Sequence, residues 1–134
     1  MLQIPMSIYE RMIGQARGGF PFEICGILGG KDGVVSVIYP MTNTDASRDH
    51  FMMDPHEQFS VAKELRSHQL EMLAVYHSHP ATPARPSDED IRIALTPDIS
   101  YVIVSLADPS APEVRSFKIA ERKVGLEELS IIHD

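Results

Sequence analysis

The chain has 134 residues, 43% of them hydrophobic and 23% charged. That is enough apolar side chain for one compact core and too little for two, so one domain spanning residues 1–134 is expected. With 12 Lys+Arg against 19 Asp+Glu the formal net charge is -7, a balance that repels phosphate and excludes nucleic acid or an anionic membrane as a partner bound through a basic surface. Cys25 is the only cysteine and has no internal disulfide partner, and Met1 to Met12 lack the basic start and apolar stretch of a secretory signal. No uncharged apolar run nears the roughly 18 residues of a membrane span. A soluble, acidic protein of the reducing cytoplasm is expected.

From Pro5 to about Arg17, Ile8, Met12, Ile13 and Ala16 recur at helical spacing, with Pro5 suited to a first helical position and Gly18-Gly19 to a stop. Glu23 then precedes the apolar run Ile24 to Gly30, and Lys31-Asp32-Gly33 separates it from the β-branched stretch Val34 to Tyr39. Two strands joined by a tight turn are predicted. Pro40 to Met53 reads as an irregular connection. At Asp54-Pro55-His56-Glu57 an N-cap aspartate, a first-turn proline and a glutamate three residues on announce a second helix, with Phe59, Ala62, Leu65 and Leu70 as its apolar side.

Met72 to Tyr76 is a buried strand that runs into His77-Ser78-His79-Pro80. The three prolines between Pro80 and Pro86 predict a rigid extended loop. Ser87 opens a third helix carrying Ile91, Ala94 and Leu95, which Pro97 ends. Tyr101 to Leu106 is an apolar strand, Pro109 to Pro112 a turn, and Val114 to Ile119 another strand. The tail alternates charge with Leu126, Leu129, Ile131 and Ile132, and predicts a last short strand or helix.

His77, His79 and Asp90 carry the chemistry. Positions two apart on an extended segment share a side and lie about 6.5 Å apart, so two imidazoles can converge on one ion. Asp90 follows His79 by 11 residues in the first turn of the third helix, and the short rigid loop returns that turn to the strand end. Two imidazole nitrogens and one carboxylate oxygen leave the fourth tetrahedral position of a zinc ion to water, the mark of a catalytic site. Each signal alone has a plainer reading. Ser87-x-x-Asp90 is a helix-capping motif, a lone His-x-His can bond backbone carbonyls, and Glu23 by itself is a solvated glutamate ahead of a strand. Taken together, His-x-His-Pro, five residues, Pro-Ser, two residues and Asp fix six positions over 14 residues. Cys25 reads as a buried strand residue rather than a nucleophile or ligand. His50, His56, His68 and His133 read as surface residues, Met52, Met53 and Met72 as core filler, and Asp88 and Glu89 as first-turn acids that favour the helix dipole.

His77-Ser78-His79-Pro80, then Pro86-Ser87-Asp88-Glu89-Asp90, with Glu23 upstream in Pro21-Phe22-Glu23-Ile24-Cys25-Gly26, closely resembles the JAMM motif of the MPN/Mov34 family of zinc metallopeptidases, in its stand-alone prokaryotic form. The resemblance covers nearly the whole chain. It implies an α/β fold, a single JAB/MPN domain similar to the cytidine deaminases, with a mixed curved β-sheet flanked by about three helices. It also implies one Zn²⁺ per chain held by His77, His79 and Asp90, with Glu23 as general acid/base and the Ser87 hydroxyl stabilising the oxyanion. The implied substrate is the amide bond after the C-terminal Gly-Gly tail of a ubiquitin-like or sulfur-carrier β-grasp protein, acted on by a monomer or weak homodimer. Deubiquitinases of the family carry insertions that grip ubiquitin, for which Thr96 to Ser100 leaves no room, so trimming an adduct such as cysteine from a sulfur carrier is the favoured form.

Three alternatives differ in class. An inactive scaffold or binding module of the same fold is expected to have lost a ligand or the glutamate, and all five positions are filled. A zinc deaminase needs His-x-Glu with a Pro-Cys-x-x-Cys pair, which one cysteine excludes. DNA-repair-associated relatives carry an additional N-terminal segment and a basic surface, which neither length nor charge permits.

Overall fold

A computed structural model describes residues 1–96 and 98–134. In chain order the elements are β1 (Leu2–Pro5), α1 (Met6–Gly19), β2 (Cys25–Lys31), β3 (Val34–Met41), α2 (Pro55–Ser67), β4 (Glu71–His79), α3 (Asp88–Ile93), β5 (Ser100–Ser105), β6 (Glu113–Ala120), β7 (Lys123–Glu127) and β8 (Leu129–Ile132). Among the described residues, the eight strands form one sheet in the order β7-β6-β5-β4-β2-β3-β1-β8. The pairs β4/β5, β1/β3 and β1/β8 are parallel, whereas β2/β3, β2/β4, β5/β6 and β6/β7 are antiparallel. The mixed α/β sheet with three helices agrees with the expected JAB/MPN architecture.

Strand alternation divides the core between the two faces of the sheet. On one face Leu28, Ala74, Tyr76, Val102 and Val104 pack with Met12 and Ala16 of α1. The other face carries Cys25, Ile27 and Val75 against Val61 and Leu65 of α2, and Ile103, Phe117 and Ile119 against Ile91 and Ala94 at α3. His77 and His79 continue this second face at the end of β4. Because β2 runs antiparallel to β4, with Cys25 opposite His77, the segment entering β2 lies beside the histidines. The β2–β3 hairpin turns at Asp32 and Gly33, whose φ values of 55° and 78° suit an Asp-Gly two-residue turn.

Several expectations are corrected. Pro5 ends β1 and caps α1 rather than opening the helix, and α1 continues through Gly19 to a cap at Phe20. The α2 boundary is as predicted, with the Asp54 carboxylate accepting from the N–H groups of His56 and Glu57. Its buried face is Val61 and Leu65, one turn apart, whereas Phe59 is 73% exposed; two residues from Val61 is about 200° around a helix, the opposite side. Met53 is buried but Met52 is exposed. His50 is half-buried and pairs with Asp45 at 3.1 Å, while His56, His68 and His133 are exposed as expected. Helix α3 stops at Ile93, leaving Leu95 exposed; Pro97, predicted to end it, lies outside the described residues. The tail forms two strands, and β8 pairs with β1. No helix among the described residues is long and apolar enough to cross a membrane.

Candidate metal centre

His77 and His79 leave the same face of β4, and both present Nε2 to one oxygen of Asp90. His77 Nε2 lies 3.1 Å from His79 Nε2 and 3.1 Å from Asp90 Oδ2, and His79 Nε2 lies 3.0 Å from the same oxygen. All three residues are buried, at 3%, 4% and 8% exposure. Three donors on one face of a tetrahedron around an ion at ~2.0–2.1 Å are separated by about 3.3 Å. The observed triangle therefore fits a zinc ion, and the donor set, two imidazoles and a carboxylate, suits that metal.

Each donor is fixed from behind. His79 Nδ1 lies 2.9 Å from the carbonyl of Pro83, which selects the tautomer with Nδ1–H donating and Nε2 free to ligate. The proline-rich loop that supplies this carbonyl is pinned to β5: Ser105 Oγ donates to Thr82 O at 2.6 Å, and Leu106 N–H donates to His79 O at 3.0 Å. The ring of His77 stacks on Phe51 at 4.5 Å between centroids. Asp90 sits in a capping box. Its Oδ2 accepts the Ser87 N–H at 2.9 Å, and Ser87 Oγ accepts the Asp90 N–H at 3.0 Å. The capping reading of Ser87-x-x-Asp90 and the ligand reading of Asp90 thus describe the same turn, because the cap aims the carboxylate.

Glu23 precedes β2 and is 4% exposed, and its Oε1 is buried without a hydrogen-bond partner. Burial, reinforced by the charges of Asp90, Asp49 and Glu89 and opposed by His79, pushes its carboxyl up to about 8. Burial also pushes the His77 imidazole down. For His79, burial pulls downward but Asp90 and the Pro83 carbonyl outweigh it and raise the net value. Asp90 is subject to the same burial, yet the two imidazoles and the Ser87 N–H hold it well below the usual carboxylate range. An ionised Asp90 and a neutral His77 are the protonation states that ligate a metal. Cys25, opposite His77, is fully buried, and burial pushes its thiol up to about 12. Both its burial and its raised pKa disfavour a thiolate there.

The centre opens on a cleft of about 370 Å³ whose lining includes His77, Asp90, Glu89 and Asp45 on a largely apolar wall of Phe51, Met53, Val75, Tyr101 and Ile103. Three supporting residues had no functional reading in the sequence: Ser78, Phe51 and Asn43. Ser78 points away from the histidines, accepts the Ile24 N–H on Oγ at 2.9 Å and donates its own N–H to Ile24 O at 3.0 Å. It locks the Glu23 segment to β4. Strand alternation could have placed Ser78 on the opposite face; nothing in the sequence marks Asn43 or Phe51.

A mixed sheet carrying a His-His-Asp donor set with a buried carboxylate at its side defines a zinc-dependent amide hydrolase of the JAMM type. The chain belongs to the family described as prokaryotic homologs of the JAB domain, whose sequence model matches residues 5–120. It is 34% identical to the CysO-cysteine peptidase of Mycobacterium tuberculosis, over 98% of this chain and 92% of the relative. It is 33% identical to a desampylase of Haloferax volcanii, over 74% and 73%. A Desulfitobacterium hafniense protein whose structure was solved in solution superposes with a TM-score of 0.92 at 44% identity, covering 100% of this chain and 94% of that one.

Proposed function

We propose that this chain is a zinc peptidase that releases an amino acid, such as cysteine, or a larger adduct from the C-terminal Gly-Gly of a sulfur-carrier or ubiquitin-like β-grasp protein. The observation that carries the reading is the triangle of three buried donors, two of which, His77 and Asp90, line a largely apolar cleft, with the segment that carries the buried Glu23 carboxylate held against β4. In this reading His77 Nε2, His79 Nε2 and Asp90 Oδ2 hold the ion. Zinc bound there supplies Lewis acidity, which makes water a nucleophile at neutral pH and polarises a carbonyl. Glu23, whose carboxyl burial pushes up to about 8 in the metal-free site, takes the water's proton and passes it to the departing amine, the two-way role of a carboxylate in a partly dry site. Ser87 Oγ accepts the Asp90 N–H, which leaves its own O–H proton free for the developing oxyanion. Phe51, Val75 and Ile103 give the cleft an apolar wall for an extended substrate tail, and glycines let its backbone pass where a Cβ would collide.

The mycobacterial relative, named for a cysteine adduct and similar over nearly the full length, supports a small leaving group. The desampylase name supports a protein adduct. We further read residues 1–134 as one catalytic domain acting in the cytoplasm, as a monomer or weak homodimer, with neither nucleic acid nor membrane as a partner. The deciding experiment incubates zinc-loaded protein with a β-grasp carrier extended by one cysteine after Gly-Gly and follows the carrier's mass. Loss of one cysteine residue is expected for the wild type. Glu23→Gln should keep about one zinc per chain and lose activity by at least ~10³-fold, and His77→Ala should lose the metal. Zinc-loaded wild type that leaves such carriers intact, with cysteine or a protein as the adduct, would overturn the reading in favour of a binding module.

A further inference from the structure

Glu23 lies two residues before β2; Ser78 ties the intervening Ile24 to β4, whereas the backbone groups of Glu23 itself have no partner in the sheet. A buried carboxylate without a partner is driven toward water, so the residue that carries it is steadied by an anchor of its own. Both of its backbone groups go to the loop between β3 and α2. The Glu23 N–H donates to Ser47 O at 2.7 Å, and the Glu23 carbonyl accepts from Asn43 Nδ2 at 3.0 Å. Asn43 also donates to His50 O at 3.2 Å, while its Oδ1 accepts the N–H groups of Asp45 at 3.1 Å and Met52 at 3.0 Å. Its backbone bridges to Met53. One carboxamide thus makes four hydrogen bonds, its full capacity of two donors and two lone pairs, and draws together the two limbs of the loop and the catalytic segment. The same loop seats Phe51 on the ring of His77.

We propose that Asn43 is a positioning residue for the hydrolysis: it fastens the Glu23 backbone to the loop that buttresses His77, so that placement of the proton carrier and closure of the loop are one event. This rests on the reading of Glu23 as general acid/base. The sequence polarity of the loop gives a direct test, because Asn43→Asp keeps both acceptor bonds of the turn and loses both donations, including the one to Glu23. Thr44→Ala is the control. It removes a bond from Thr44 Oγ1 to Met52 O (3.1 Å) in the same loop without touching Glu23.

Amide hydrogen exchange at Glu23, followed by NMR on the full chain, should be about ten-fold faster in Asn43→Asp and unchanged in Thr44→Ala. Both variants should bind one zinc per chain. On the Gly-Gly-Cys carrier, kcat of Asn43→Asp should fall about 10- to 100-fold with KM within about three-fold of wild type, as expected for a misplaced catalytic group. Wild-type exchange at Glu23 in Asn43→Asp, or equal losses in Thr44→Ala, would overturn the proposal. Full activity of Glu23→Gln would instead overturn the acid/base role, and the exchange result would still decide whether Asn43 anchors the segment.

Discussion

Burial of Glu23 links the chemistry of one carboxyl to the stability of the fold. Its pKa rises from 4.5 to about 8 on folding, so between those values the unfolded chain has released a proton that the folded chain keeps. The folded state then binds more protons, and stability falls as pH rises through this window. In chelator-treated protein the melting temperature should decline from about pH 5 to pH 8 more steeply in the wild type than in Glu23→Gln, by several degrees over the window. Parallel curves would mean that Glu23 titrates normally. Asp90 has the opposite sign: held below 3.8, it contributes stability that is lost only as the solution becomes strongly acid. At Ser87 two roles separate by magnitude. Ser87→Ala removes an N-cap, about 1 kcal/mol of stability, and also the proposed oxyanion donor, about 10²- to 10³-fold in kcat. A rate loss no larger than the cap loss explains would restrict Ser87 to capping.

At the scale of elements, the strands carrying the site tolerate little. A Cβ on Gly26 would lie 2.2 Å from the ring of Tyr76, which is fully buried and directly paired across β2 and β4. Gly26→Ala should therefore destabilise by about 3 kcal/mol, read as a lower urea midpoint, and should weaken zinc binding because Tyr76 adjoins His77. An unchanged midpoint would show that the ring moves aside freely. What was legible in the sequence follows from local physics. Strand alternation put His77 and His79 on one side, Asp54-Pro55 marked the start of α2, and Asp32-Gly33 marked the hairpin. Elements held by distant partners were not legible: β1 has four residues and depends on parallel pairing with β8 at the other end of the chain. The face of α2 was ambiguous because Phe59, Val61, Ala62 and Leu65 offer two apolar stripes, and the sheet selected the one through Val61 and Leu65. Asn43 was invisible because its role is set by carbonyls of Glu23 and His50 that only the folded loop brings to it.

For the whole molecule, His77, His79 and Asp90 meet because the loop after β4 returns α3 to the strand end, and the Glu23 segment runs beside β4 because β2 and β4 are neighbours. The sequence contained the donors; the topology supplied their distances. Zinc added to chelator-treated protein should raise the melting temperature, since a ligand that binds only the folded state at about 1,000 times its Kd adds about 4 kcal/mol; no shift would mean that the triangle does not bind it. The surplus of negative charge, -7 overall, should steer a carrier with a basic face, so that kcat/KM falls with added salt while kcat holds. The capping turn of α3 has one more consequence. His79 and Asp90 stand 11 residues apart on two different elements, and α3 is six residues long, too short to persist by itself. With Cys25 alone the chain has no disulfide, so an ion shared by these two side chains would act as its removable cross-link, closing a short loop and restricting the opened chain. Chelation should then expose Arg92, in the last turn of α3, to trypsin well before the rest of the sheet yields.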